Sequence, residues 1–212
     1  MTSPKKLRIL CLHGMVQNGT VFRKKTAVIR KKLDKMAELV YVTAPQMTLD
    51  PKYTSEAHRA AAADEGAPEE GKPFAWWHPY DDRQTEDGYY MGFKESVAHL
   101  KEIMIKEGPF DGIMGFSQGA CLAAVMLVAM EDRTLAPSLF GPDFEHPNFK
   151  FALLCAGFKP LPQKATQDIW THKITTPTMH LIGNEDKLID PERQLDLTEQ
   201  SVDPVVLRHT GG

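Results

Sequence analysis

The residues best suited to chemistry stand together at Gly115-Phe116-Ser117-Gln118-Gly119, a serine held between glycines in the pattern G-x-S-x-G. At this length and composition, chance would supply about 0.03 such matches. The context is as specific as the pattern. The strand-like run Asp111–Phe116 precedes the serine, and the apolar run Ala120–Met130 follows it. A strand that turns sharply into a helix crowds the positions on either side of the turn, so glycines flank it, and it forces the turn residue into a strained backbone conformation. The Ser117 hydroxyl then projects above the sheet edge, where the positive end of the next helix favours developing negative charge. The bland alternative is a tight turn whose serine only caps a helix.

A serine hydroxyl is a weak nucleophile at its free pKa and needs a base and an orienting acid. Around this kind of turn the chain order is serine, acid, histidine, with the acid after a late strand. Gly183-Asn184-Glu185-Asp186 occupies such a position, so Asp186 is the expected acid, with Glu185 and Asp190 as competitors. The oxyanion formed on attack needs preorganised donors. One is the backbone N–H of Gln118. The other is expected from the loop after the first strand, His13-Gly14-Met15-Val16-Gln17-Asn18-Gly19. There Gly14 lets the backbone approach, and the N–H of Met15 is the candidate donor. His13 is expected to hold this loop by side-chain hydrogen bonds rather than to act as the base. The substrate pocket is expected at His13, Gly14, Trp76 and Trp77. The two tryptophans belong to an aromatic cluster with Phe74 and Tyr80, which reads either as the anchor of a returning loop or as a pocket wall. No H-E-x-x-H or paired ligand spacing suggests a metal, and no cofactor is expected.

Such residues need a scaffold that carries them to one edge. Leu7–Leu12, Leu39–Val42, Asp111–Phe116, Phe151–Cys155, Thr178–Ile182 and Val205–Arg208 read as strands. Phe22, Ile29, Leu33 and Met36 mark an amphipathic helix over Val21–Met36. Phe93, Val97, Leu100 and Met104 mark a second, stopped by Gly108-Pro109. Ala120–Met130 is a buried helix, and Pro191–Gln200 a short one with proline at its start. Strands alternating with helices predict an α/β fold, a doubly wound, mostly parallel sheet with helices on both faces, as a single domain over 1–212. Ligands on such sheets bind at the carboxyl ends of the strands, where each motif above lies. Two irregular stretches interrupt the pattern: 48–87, polar and turn-rich, read as a flexible excursion, and 131–149 with its prolines. Both are expected to border the pocket.

The composition excludes several classes. A net charge of -3 lacks the basic excess of a nucleic-acid protein. No apolar run approaches the roughly 18 residues that span a bilayer. The stretch Ile9–Leu12 is too short for the apolar part of a signal peptide. Cys11, Cys121 and Cys155 form no C-x-x-C pair and sit in apolar contexts, so free thiols and a cytoplasmic location are expected. The oligomeric state has no signature in the sequence.

With these residues in view, the sequence resembles the FSH-type serine hydrolases of fungi and animals, related to the ovarian-cancer-associated serine hydrolases. The likeness is carried by Leu10-Cys11-Leu12-His13-Gly14, Gln17-Asn18-Gly19, Phe22, Lys24, Trp76-Trp77, and Gly108-Pro109-Phe110-Asp111-Gly112 leading to Gly115 through Gly119. It continues in Phe149-Lys150-Phe151, Gly157-Phe158, Pro177-Thr178 with His180, Gly183 through Asp186, and His209-Thr210-Gly211-Gly212. The resemblance implies an α/β-hydrolase fold and hydrolysis of a small-molecule carboxylic ester or thioester by Ser117 and Asp186. Some relatives release acyl products from polyketide synthases, and a fungal relative is fused to dihydrofolate reductase. The sequence departs from the family pattern after the last strand, where the family has His-x-Gly-Gly-His or His-x-Gly-Gln-His with the final histidine as base. The resemblance therefore places the base just after Gly212, followed by a closing helix, and the 212 residues read as a fragment of a longer polypeptide. His209 is a weak substitute for that base. The alternative function is a catalytically incomplete module that binds acyl ligands or partners. An acyl-protein thioesterase also fits the G-F-S-Q-G pattern, but the Gln17-Asn18-Gly19 loop and Trp76-Trp77 suit the first family better.

Overall fold

The apolar runs form β1 (Leu7–Leu12), β2 (Ala37–Val42), β5 (Gly112–Phe116), β6 (Phe151–Cys155), β7 (Thr178–Gly183) and β8 (Val205–His209) in the computed structural model. It describes residues 5–78, 84–160 and 163–211, so Tyr80 and Gly212 lie outside the described residues. The six strands build one sheet in the order β2-β1-β5-β6-β7-β8, and every neighbouring pair is parallel. Two short strands, β3 (Gln46–Met47) and β4 (Phe74–Ala75), pair antiparallel outside it. The helices are α1 (Gly19–Lys25), α2 (Ala27–Leu33), α3 (Glu56–Ala63), α4 (Phe93–Glu107), α5 (Gln118–Glu131) and α6 (Pro191–Thr198).

Side chains alternate across a strand, so each strand serves two layers. Ile9 and Cys11 of β1 join Phe22 of α1, Leu39 and Met114 on one face. Leu10 and Leu12 join the larger core on the other, with Phe93, Val97 and Leu100 of α4 and the whole length of α5. Ala120 through Met130 are all buried, which explains why that helix is apolar all round. The α1–α2 layer contacts β1 and β2. Farther along the same face, the register aligns Leu153, Met179 and Val205 in one row and Cys155, Leu181 and Leu207 in the next. Those rows are half-buried or exposed, and Val205 and Leu207 are about half open to solvent, at 51% and 47%. The accessible surface is 11333 Å², against roughly 9,900 Å² for a compact chain of this mass.

Three expectations are corrected. The helix expected over Val21–Met36 is two helices. At Thr26 the hydroxyl donates to the Phe22 carbonyl at 2.8 Å and meets the Tyr41 hydroxyl at 2.6 Å, and such bonding back to the previous turn bends helices. The 48–87 excursion is not irregular throughout, because it contains α3. Ser55 and His58 close that helix reciprocally, Ser55 Oγ accepting from His58 N–H and His58 Nδ1 from Ser55 N–H. The 131–149 stretch buries Ala136, Leu139, Phe140, Phe144 and Phe149 in the core, and Ser138 and Leu139 border a depression against α4. The stretch joins the end of α5 to the start of β6, so both of its ends lie at the sheet edge opposite Ser117. Its contacts run to α4 and the start of β5: Lys101 donates to Leu139 O at 2.9 Å, and Phe110 N–H to His146 Nε2 at 2.9 Å.

None of the α3 residues is buried, so local opening there exposes almost no new apolar surface. Amides of Ala60–Ala63 are expected to exchange with solvent orders of magnitude faster than that of Ile113 in β5. Equal protection in a hydrogen-exchange experiment would contradict this.

Candidate active site

The turn between β5 and α5 has the expected strain. Ser117 has φ 51 and ψ -118, a region that non-glycine residues rarely occupy. Its N–H donates to Cys155 O at 2.9 Å, which ties the turn to β6. The flanking glycines are steric requirements. A Cβ at Gly115 would stand 2.4 Å from Ala120 Cα, and one at Gly119 would stand 2.4 Å from Leu12 O. Ser117 is half-buried, so its side chain stays accessible.

The loop after β1 runs beside it. A Cβ at Gly14 would lie 2.7 Å from the Phe116 ring and 3.4 Å from Ser117 Cβ, so this backbone passes within contact of the nucleophile candidate. Met15 is next. Among the described residues, nothing accepts a hydrogen bond from its N–H. Val16 then turns with φ 64, unusual for a β-branched residue, and its N–H donates to Phe74 O at 2.8 Å. Phe74 N–H returns a bond to Gln17 O at 3.0 Å.

His13 is fully buried and holds this loop. Ala44 N–H donates to its Nε2 at 2.9 Å, which leaves the proton on Nδ1, 2.7 Å from Gly14 O. Burial lowers its pKa to about 4, against the opposing bond to Gly14. His180 in β7 is also buried, with its Nε2 3.2 Å from both Thr178 Oγ1 and Ser201 Oγ, and burial lowers it to about 4. The unfolded chain takes up a proton at each of these rings near pH 6.5, and the folded chain does so only near 4. Stability present at pH 7 should therefore be lost as pH falls from about 6.5 to 4, on the order of 3 kcal/mol for each ring. Urea midpoints at pH 7 and pH 5 would check this, and equal midpoints would refute it.

The tryptophans take the anchor position and not the pocket wall. Trp76 and Trp77 are 0% and 2% exposed, so neither offers surface to a ligand. Trp76 Nε1 donates to His13 O at 2.8 Å, and its ring lies 5.0 Å from the His13 ring. The side chain of Gln118 joins them, a role the sequence reading missed. Its Oε1 accepts from Trp76 N–H at 2.9 Å, and its Nε2 donates to Trp77 O at 3.0 Å. One residue thus clamps the aromatic segment with its amide and leads α5 with its backbone N–H. Asn18 does similar work. Its Oδ1 caps α1 through Val21 N–H at 2.9 Å, while its Nδ2 donates to Glu69 O and Lys72 O.

Asp186 lies in the loop after β7, at the same sheet edge as Ser117 and two strands away. Its Oδ1 accepts from Leu188 and Ile189 N–H at 2.9 and 3.0 Å, and its Oδ2 from Gln194 Nε2 at 3.2 Å. The competitors are placed otherwise. Asp190 caps α6 through Glu192 N–H, and the Glu185 side chain is exposed. Six of the eight histidines have ring bonds that occupy them. Besides His13 and His180, these are His58 in its capping box, His99 on Thr43 O, His146 between Phe110 N–H and Pro147 O, and His172 on Glu131. His209 ends β8 opposite Gly183, and Gly211 O accepts from Glu185 N–H at 3.3 Å, so the chain after β8 runs along the loop of Asp186. Burial raises the pKa of Cys11, Cys121 and Cys155, which keeps these free thiols protonated. Among the described residues no three His, Cys, Asp or Glu side chains are grouped to hold a metal ion, and no helix is long and apolar enough to cross a membrane.

The profile of the serine hydrolase (FSH1) family matches residues 1–212. The chain belongs to this family. It is 35% identical over 214 residues to the Danio rerio protein named esterase OVCA2, a match that covers 97% of this chain and 88% of that one. It is 37% identical over 211 residues to a Schizosaccharomyces pombe dihydrofolate reductase, covering 98% of this chain but only 43% of the longer protein. Among solved structures, Zea mays acyl-protein thioesterase 2 superimposes with a TM-score of 0.60 at 17% identity, covering 100% of this chain and 88% of that one, which supports the α/β-hydrolase fold. Within this serine hydrolase, the glycine-flanked turn and the Met15 loop are the pieces legible in sequence. The Gln118 clamp required the structure.

Proposed function

We propose that this serine hydrolase cleaves carboxylic esters or thioesters through an acyl-enzyme on Ser117. The observation that carries the reading is the strained turn at Ser117 in contact with a loop whose Met15 N–H is unpartnered among the described residues. Unsatisfied donors next to a projecting hydroxyl are what a tetrahedral oxyanion requires. The esterase named above, similar over nearly the whole chain, adds support. In this reading Ser117 Oγ attacks the acyl carbonyl, and its proton passes to the base and then to the leaving alcohol or thiol. The oxyanion rests on the N–H groups of Met15 and Gln118. Water then attacks the acyl-enzyme with the same base, releasing the acid and restoring the serine. Asp186, held by three N–H donors, orients the base and offsets its charge. The base itself is assigned to the segment after β8, at the histidine that the family pattern places after Gly212, with His209 as the lesser candidate. Free buried thiols fit a reducing, cytoplasmic setting.

Fluorophosphonate labelling tests the reading directly. A single adduct mapped to Ser117, together with turnover of short-chain esters or thioesters, is the expected result. Labelling elsewhere would overturn the Ser117 assignment, and an acyl ligand bound without any adduct or turnover in a chain that carries the histidine would support the non-catalytic binding module instead.

A further inference from the structure

We infer that the cavity between the segment after β6 and helix α6 receives a carboxylate at the far end of the acyl chain, so that the preferred substrates are monoesters or monothioesters of dicarboxylic acids; this rests on the reading of Ser117 as nucleophile.

The cavity measures about 330 Å³, within the range of small-ligand sites. Its walls include Lys159, Gln163, Trp170, Arg193 and Asp196. Their charges do not cancel. Lys159 Nζ pairs with Asp196 Oδ1 at 2.7 Å, which leaves the Arg193 guanidinium without a carboxylate partner among the described residues. Arg193 also lies in the first turn of α6, where the helix dipole disfavours a cation, so local helix stability does not account for it. The Phe158 ring supports the guanidinium at 4.9 Å from the ring centroid.

A second, independent observation comes from Gln163, which is 1% exposed. Its Oε1 accepts from Tyr90 N–H at 2.8 Å, yet its Nε2 has lost water without gaining a partner among the described residues. Leaving a buried donor unmade costs about 1–3 kcal/mol, so an amide kept in that state points to an acceptor that arrives with a ligand. A planar guanidinium fork and an amide N–H lining one cavity suit the two oxygens of a carboxylate. With Lys159 and Asp196 already paired, the uncompensated charge is that of one cation, which matches one carboxylate. Trp170 and Pro160 supply apolar surface for the chain that leads to it.

Two stretches of backbone link the walls of the cavity to the proposed chemistry. Phe158 stands three residues beyond Cys155, whose carbonyl accepts from Ser117 N–H, a span of at most about 11 Å. Arg193 precedes Gln194, which donates to Asp186 Oδ2. The inference requires that an acyl group held at Ser117 extend its distal end along this backbone toward Arg193.

The test compares kcat/KM for p-nitrophenyl monoesters of dicarboxylic acids of increasing length with neutral esters of matched length. It is run on the chain carrying the histidine after Gly212, as the wild type and as Arg193→Gln. The ratio of acidic to neutral substrate is expected to fall at least about tenfold in Arg193→Gln, to recover partly in Arg193→Lys, and to shrink with added salt. A second readout does not need turnover: a free dicarboxylate should raise the Tm of the Ser117→Ala chain and fail to do so when Arg193→Gln is added. A substrate ratio or a Tm rise that Arg193→Gln leaves unmoved, or no Tm rise at all, overturns the inference. If the Tm rise depends on Arg193 but no ester is hydrolysed and Ser117 takes no fluorophosphonate, the cavity assignment stands and the catalytic reading fails.

Discussion

Ser117→Ala removes turnover in a chain with all three triad members, a loss on the order of 10⁶ in kcat, while the fold survives. The two halves of this expectation have separate physical causes. Without the hydroxyl no acyl-enzyme forms, and what remains is the 10³–10⁴ over water that an oxyanion hole and binding supply on their own. The fold survives because the substitution touches little else. The bond from residue 117 to Cys155 O is made by the backbone and persists in alanine. The strain at φ 51 is common to serine and alanine, so the melting temperature should move by only a few degrees. A p-nitrophenyl ester assay beside a melting curve checks both halves. Retained turnover would remove Ser117 from the mechanism, and a collapsed fold would mean that the hydroxyl has a structural partner.

The base is the second large effect. A chain continued past Gly212 through the family's histidine and closing helix is expected to exceed the 212-residue chain by on the order of 10⁶ in kcat. It should also melt higher. The rows formed by Leu153, Met179 and Val205 and by Cys155, Leu181 and Leu207 are the apolar surface that such a helix would cover, at roughly 25 cal/mol for each Å² removed from water. His209→Ala, made in both lengths, separates the two candidate bases. If the short chain turns over as fast as the long one and His209→Ala abolishes it, His209 is the base.

How much of this was legible in the sequence depended on whether the signal was local. The strands were, because an apolar run such as Ile113 through Phe116, followed by Ser117 and another apolar run, has few alternatives in a chain of this size. The placement of Ser117, Asp186 and the Met15 loop at strand ends was legible for the same reason, since each is a short motif that follows an apolar run. Helix α3 was not, because no residue of it is buried and its apolar face is made of alanines alone, which mark a helix face only weakly. Its one readable mark was Ser55 ahead of Ala60–Ala63. The break at Thr26 depends on Tyr41 from another element. The Gln118 side chain shows the limit most clearly. Its bonds reach residues 42 and 41 positions earlier, and nothing in G-F-S-Q-G says which backbone it will hold.

The β3–β4 pairing has a consequence for how this protein can vary. Gln46 faces Ala75, Met47 faces Phe74, and Thr48 N–H donates to Pro73 O, so the chain leaves and re-enters the domain at adjacent points. Everything between, 48–73, hangs from a closed neck. Its outer clasp is Asn18, and the neck continues directly into the segment clamped by Gln118. An insert closed in this way can be lengthened or shortened at an entropic cost of only about 0.6 kcal/mol per doubling of length, provided that the Glu69 and Lys72 carbonyls which hold Asn18 are kept. The Ser117 turn would not register the change, because the neck absorbs it. The stretch 49–68 is thus a candidate cassette, one place where a library of chimaeras could vary the length of the excursion without touching the clasp or the Ser117 turn.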